Sequence, residues 1–215
     1  MIVENTKQKC QITHLKLGND NLEVVHSYKY LGHIVENGMK DSSDIKQRLS
    51  DFNSRFNSVF RNFNGISIDT FLYLFDSFCH PNYGLGLWDL GSVFSMHDFK
   101  VLETSFNNAL KRIVGAPKGS SSHITADVCN HLLLKHYVAL NQARYLKRIL
   151  SQRNCIFILS LPLLKIGYLS SSITKLFKDK YDMSFWDEDL DIIKARISWI
   201  QKHEERRAFC VFYGI

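Results

Sequence analysis

The sequence predicts an α+β protein that is mostly α-helical, with an N-terminal antiparallel β-hairpin followed by a helical bundle. Three observations carry this. Apolar residues favour strand alternation over the first 36 positions, and they recur every three or four positions from Ile45 onward. Gly, Asn and Pro mark the joints between these segments. A chain of 215 residues that is 45% hydrophobic and 13% aromatic can build a core, which excludes general disorder. Three prolines and eleven glycines exclude collagen-like and low-complexity classes.

Thr13 to Leu17 alternates, Gly18 to Asn21 is a turn cluster, and Leu22 to Val35 is rich in β-branched and aromatic residues. Together they read as one hairpin with a four-residue loop, ended by Glu36-Asn37-Gly38. Ile45, Leu49, Phe52, Phe56, Val59, Phe60 and Phe63 then form one stripe of a long helix. Ser42 or Ser43 supplies its N-cap, Asp44 suits its first turn, and Gly65 its stop. A second helix starts at Ser67 or Asp69 and runs to Pro81. The glycine-spaced run Tyr83 to Trp88 is too permissive for a helix. A third helix spans about Met96 to Val114, with Gly115 as its left-handed cap. After the polar loop Ala116 to Ser122 come a short helical piece, 124–130, and a stronger helix from Lys135 to Ser151. In the tail, one helix is expected from Ser184 towards Arg207.

The charge is uneven. Between Lys100 and Arg153 nine cations face only Glu103 and Asp127, so this quarter carries +7 while the remainder carries −1. Such a block suits a polyanion-facing surface. No apolar run is long enough to span a bilayer, which takes roughly 20 residues. The N-terminus lacks a secretory pattern. Five cysteines with no CxxC read as free thiols in a reducing, intracellular compartment, nuclear or cytoplasmic.

Several motifs occur in a definite order. Tyr28-Lys29-Tyr30-Leu31-Gly32 puts two tyrosines on one strand face, with Lys29 opposite and a glycine that admits a close backbone. Asp44-Ile45-x-x-Arg48-Leu49 opens the long helix, and Pro81-x-Tyr83-Gly84-x-x-x-Trp88 follows. Then come Leu110-Lys111-Arg112-Ile113-Val114-Gly115, a polar loop, and a helix containing Ala139-Leu140-Asn141-Gln142-Ala143-Arg144 after His136.

In order and spacing, this series resembles the region that follows the polymerase palm in reverse transcriptases of non-LTR retrotransposons, of the jockey and related LINE-like type. The resemblance covers most of residues 1 to about 155 and implies that the chain begins inside a longer parent enzyme. It further implies that 1–36 is the primer-grip hairpin at the end of the palm, 41–115 a helical thumb, and 120–215 a C-terminal helical region. Tyr28, Lys29, Tyr30, Leu31 and Gly32 would be the primer-grip positions. Lys46, Arg48, Arg55, Lys111, Arg112, Lys118, Arg144, Lys147 and Arg148 would be cations for the backbone of an RNA–DNA template–primer. Such binding is sequence-independent and salt-sensitive.

The parent family polymerises with Mg²⁺ held by paired aspartates. No Asp-Asp pair occurs in this sequence, so the chain is expected to hold no cofactor and to lack polymerase activity by itself. Asp187-Glu188-Asp189 with Asp191 reads as a helix N-terminus. Cys129, His131 and His136 lack the fourth ligand of a structural zinc site, and Cys79-His80 has no activating partner in sequence reach. Trp88 and the phenylalanine stripe read as core, and Ser120-Ser121-Ser122 as a loop. The alternative to a polymerase fragment is a helical protein-interaction module with a basic face and no nucleic-acid role, in which Phe52, Phe56 and Phe60 are partly exposed.

Overall fold

The structure, a computed structural model, describes residues 16–17, 19–21, 25–30, 32–36, 41–80, 85, 88, 93–151, 168–184 and 189–213. The fold is α+β and mostly helical, with antiparallel β-hairpin structure at the N-terminus. The strands form two small hairpins where the sequence pattern implied one. β1 (Lys16–Leu17) pairs with β2 (Asp20–Asn21), and β3 (Ser27–Tyr30) pairs with β4 (His33–Glu36). In the second hairpin Tyr28 faces Val35 and Tyr30 faces His33. The physical reason for the break is Gly32. At φ +82° it adopts the left-handed backbone that closes a turn, so the expected strand through Val35 folds back on itself.

Helix α1 (Ser42–Asn62) buries most of the predicted stripe: Ile45, Phe52, Phe56 and Val59 are core, Leu49 and Phe60 are half-buried, and Phe63, just past the helix end, is exposed. Its N-cap is Asp41, one residue before the expected serines. Ser42 and Ser43 lie in the first turn instead and hydrogen-bond to Asp98 and Glu36. Helix α2 (Ile68–Leu74) starts where Ser67 accepts from the Thr70 N–H at 3.3 Å, a side-chain cap. It does not continue as α-helix. Phe75 to Cys79 form a π-helical turn, closed by the His80 N–H on the Phe75 carbonyl at 3.0 Å.

Helix α3 (His97–Ile113) ends in a Schellman motif. Gly115 sits at φ +70°, and the Ala116 N–H reaches the Lys111 carbonyl at 2.8 Å. Helix α4 (Ser122–Val128) ends the same way, with Asn130 at φ +51° and the His131 N–H on the Ala126 carbonyl at 2.8 Å. Helices α5 (Leu134–Ser151), α6 (Tyr168–Tyr181) and α7 (Leu190–Tyr213) complete the bundle. Helix α6 was not anticipated, and α7 starts six residues later than the tail pattern implied. Of the acid cluster, Asp187 and Glu188 lie outside the described residues. The Asp189 carbonyl accepts from Ile193, and Asp191 occupies the first turn of α7.

One contiguous core joins these helices. Phe75, delivered by the π-turn, is wholly buried between Phe52 at 6.0 Å, Phe56 at 6.1 Å and Phe106 at 5.3 Å, ring centre to ring centre. Burying four such rings supplies a large share of the driving force for the α1–α3 packing, since each aromatic side chain removes 150–250 Å² or so from water. Trp88 and Phe99 form a further edge-to-face pair at 6.3 Å. Phe177, Tyr181, Ile193 and Ile197 extend the core into α6 and α7. Among the described residues no helix is long and apolar enough to cross a membrane.

Candidate functional site

A densely connected polar group among the described residues is Asp44, in the first turn of α1. Its carboxylate is buried and collects contacts from three segments of the chain. Oδ1 accepts from the Ile34 N–H at 3.2 Å and lies 3.4 Å from Arg48 Nη2. Oδ2 accepts from the Trp88 indole N–H at 2.8 Å and lies 3.2 Å from His33 Nδ1. Arg48, one turn along the same helix face, donates to the Gly32 carbonyl at 2.6 Å. The Trp88 carbonyl in turn accepts from Gln142 of α5 at 2.9 Å. A buried carboxylate is tolerable only when its lone pairs are filled, and here they are. The consequence is geometric: the β3–β4 hairpin is clamped onto the N-terminal end of α1.

That clamp leaves β3 facing outward. Tyr28 is 56% and Tyr30 63% exposed, and Lys29 is also exposed. Gly32 is the turn residue of this hairpin, and Leu31 lies outside the described residues. The tyrosines, on one strand face, offer two aromatic surfaces with a cation beside them.

The predicted cations separate into four groups. Arg48 and Lys111 are buried: Arg48 serves Gly32 and Asp44, and Lys111 donates to the Lys118 carbonyl at 3.0 Å, closing the loop after α3. Neither is placed to face a polyanion. Lys46, Arg112 and Lys118 are exposed. Lys46 lies 3.8 Å from Asp98, while Arg112 covers the Phe60 ring at 4.2 Å and sits 3.4 Å from Asn57 Oδ1. Lys46 and Arg112 thus flank the α1–α3 seam. At about 100° per residue, Arg55 turns to the opposite flank of α1, on the side of the π-turn. It is exposed there and close enough to Cys79 to act on its thiol. Arg144 and Arg148 are exposed and Lys147 half-buried on the last turns of α5.

Sequence reasoning missed a second cluster. His136 is wholly buried; its Nδ1 lies 3.1 Å from the Tyr181 hydroxyl and its Nε2 3.1 Å from Glu204 Oε2. Lys135 meets the same carboxylate oxygen at 2.8 Å. Burial lowers the pKa of His136 and raises that of Tyr181, so the ring is neutral and the phenol protonated. The hydrogen bond from His136, with that from Lys135, holds Glu204 well below the usual carboxylate range. The tautomer follows: Tyr181 donates to Nδ1, and Nε2–H donates to Glu204. This chain ties α5, α6 and α7 together inside the fold. In sequence, 68 residues separate His136 from Glu204, and only the unexpected α6 supplies Tyr181, so no local spacing could show it.

The cysteine readings are refined by burial. Cys79 and Cys129 are free and buried. Desolvation pushes the Cys79 thiol up to about 11, which makes it a poor nucleophile near neutrality. Among the described residues, the group with metal-ligand spacing is Asp76, His80 and His131. It shares only His131 with the set considered from sequence.

Comparison with family models, with curated proteins and with solved structures found no match.

Proposed function

We propose that the chain is the primer-grip hairpin, thumb and following helices of a non-LTR-type RNA-directed DNA polymerase. In this reading it holds an RNA–DNA template–primer without regard to sequence and does not polymerise on its own. One observation supports this above the others. Gly32, Asp44, Arg48 and Trp88, positions drawn from three separate motifs of the resemblance, meet in one buried network. That network presents Tyr28, Lys29 and Tyr30 outward at the edge of α1, where aromatic faces can stack on bases and a lysine can meet phosphate.

The duplex backbone would run along the α1–α3 seam, over Lys46, Arg112 and Lys118, with Arg144, Lys147 and Arg148 as a further basic group. Beneath these exposed groups, Lys111 holds the Lys118 loop, and Arg48 holds the hairpin. The competing reading is a helical protein-interaction module with a basic face and no nucleic-acid role; of the stripe it expects to be partly exposed, Phe52 and Phe56 are buried and Phe60 is half-buried.

The test is a salt titration of RNA–DNA hybrid binding by the full chain and by the triple variant Arg112→Glu, Arg144→Glu, Arg148→Glu. Lys111 is left unchanged because its burial would confuse folding with binding. The wild-type affinity should fall steeply with salt, and the variant's log–log slope should be shallower by about 1 for each lost phosphate contact. Equal affinity and equal slope would remove this surface from the reading.

A further inference from the structure

We propose that Asp76, His80 and His131 form a binding site for one divalent transition-metal ion, with zinc-like ligand preference, at the junction of the π-turn and the loop between α4 and α5. This inference is independent of the template–primer reading. One ligand atom from each of the three side chains lies within 4.8 Å of the other two. His131 Nε2 and Asp76 Oδ1 are 3.1 Å apart. Metal–ligand bonds of roughly 2.0–2.2 Å in a tetrahedral arrangement place neighbouring ligand atoms about 3.4 Å apart. The His131–Asp76 edge, at 3.1 Å, is within a few tenths of an ångström of that spacing, and the His80 edges, within 4.8 Å, need to contract by at most about 1.4 Å.

The scaffold holds the two imidazoles and leaves the carboxylate adjustable. His80 is buried edge-on to Phe75 at 6.0 Å and Phe106 at 5.1 Å, which fixes its ring plane. His131 is fixed through its backbone: its N–H closes the Schellman motif on Ala126, and its carbonyl accepts from Gln201 of α7 at 2.9 Å. Asp76 is 52% exposed at its side chain, so it can follow an incoming ion and gives the ion a route from solvent. The π-turn matters here, because it sets where Asp76 and His80 stand relative to the core. Such turns recur at functional sites.

Ligand chemistry selects the ion. Two neutral imidazoles and one carboxylate suit Zn²⁺, Co²⁺ or Fe²⁺, whereas Mg²⁺ prefers oxygen and keeps its waters. Three protein ligands leave at least one position for water, the arrangement of an open rather than a purely structural site. His136 does not belong to it, since both its nitrogens are engaged by Tyr181 and Glu204. Bound metal would join the end of the π-turn to the segment before α5, linking positions 76–80 to position 131.

Calorimetry with Zn²⁺, visible absorption with Co²⁺, and thermal melts with each, all on the full chain, test the site. The expected result is one equivalent bound, a tetrahedral or five-coordinate Co²⁺ spectrum, and a raised Tm, with no such effects from Mg²⁺. His131→Asn and Asp76→Asn, both at partly exposed positions, should each weaken binding more than the 10–100-fold or so typical of losing a supporting group. Far-UV circular dichroism on the same samples separates lost binding from lost folding. Absence of uptake would leave the His131–Asp76 contact as a direct side-chain contact only and overturn the proposal. So would Zn²⁺ uptake that survives in both folded variants, or Mg²⁺ binding of equal strength.

Discussion

Replacing Asp44 with Ala tests whether the hairpin is held to α1 by this carboxylate. The substitution leaves the Trp88 indole N–H and the Ile34 amide without their acceptor, at a cost of about 1–3 kcal/mol each. It also leaves Arg48, only 8% exposed, with its guanidinium less compensated. Breaking a buried charge pair by deleting one partner costs about 3–5 kcal/mol. These losses overlap, because Arg48 retains the Gly32 carbonyl and water can reach the hairpin side. A total of about 4 kcal/mol follows, or a fall in Tm of roughly 8–16 °C at about 2–4 °C per kcal/mol for a chain this size. Asp44→Asn keeps one acceptor oxygen and should lose about half as much. Thermal melts followed by tryptophan fluorescence and far-UV circular dichroism measure both. A double-mutant cycle with Trp88→Phe isolates the indole contact, with an expected coupling of at least about 1 kcal/mol. A loss below about 1 kcal/mol for Asp44→Ala, or zero coupling in the cycle, would refute the clamp.

Other outcomes follow from the same structure. Stability should fall as pH drops below about 6.5, because an unfolded His136 takes a proton that the buried native ring refuses. A second loss should begin below about pH 4.5, as unfolded Glu204 takes the proton its native partners exclude; half-buried Glu103, whose pKa is raised, works the other way above about pH 4.5 and offsets part of the His136 loss. Urea melts at stepped pH show this, and a flat profile between pH 7 and 5 would count against a neutral buried His136. Gly65 has φ +91° and open space around its missing side chain. Gly65→Ala should therefore cost about 1 kcal/mol through backbone strain alone, with Gly65→Asn costing less; equal stability of Ala and Gly there would contradict the left-handed turn. Ser67→Ala removes the cap on the Thr70 amide and should lower Tm by a few degrees, for a cost of about 1 kcal/mol.

Elements with a local signal are legible in the amino-acid order. The 3.6-residue stripe from Ile45 to Phe63 specified α1 and, short of its exposed last member Phe63, its buried face, and Gly115 specified the stop of α3. The clustering of cations between Lys100 and Arg153 was legible too, because charge needs no fold to be counted. Tertiary structure decided which of those cations face outward. Lys111 and Arg112 are neighbours in one motif, yet helical geometry buries the first under the Lys118 loop and lays the second across Phe60. It also decided the pairings that span long loops: Asp44 with Trp88, His136 with Glu204, and Asp76 with His131. The reason is physical. Periodicity and turn chemistry act over a few residues, while a buried polar group must find its partner wherever packing brings one, and its sequence distance carries no signal of that.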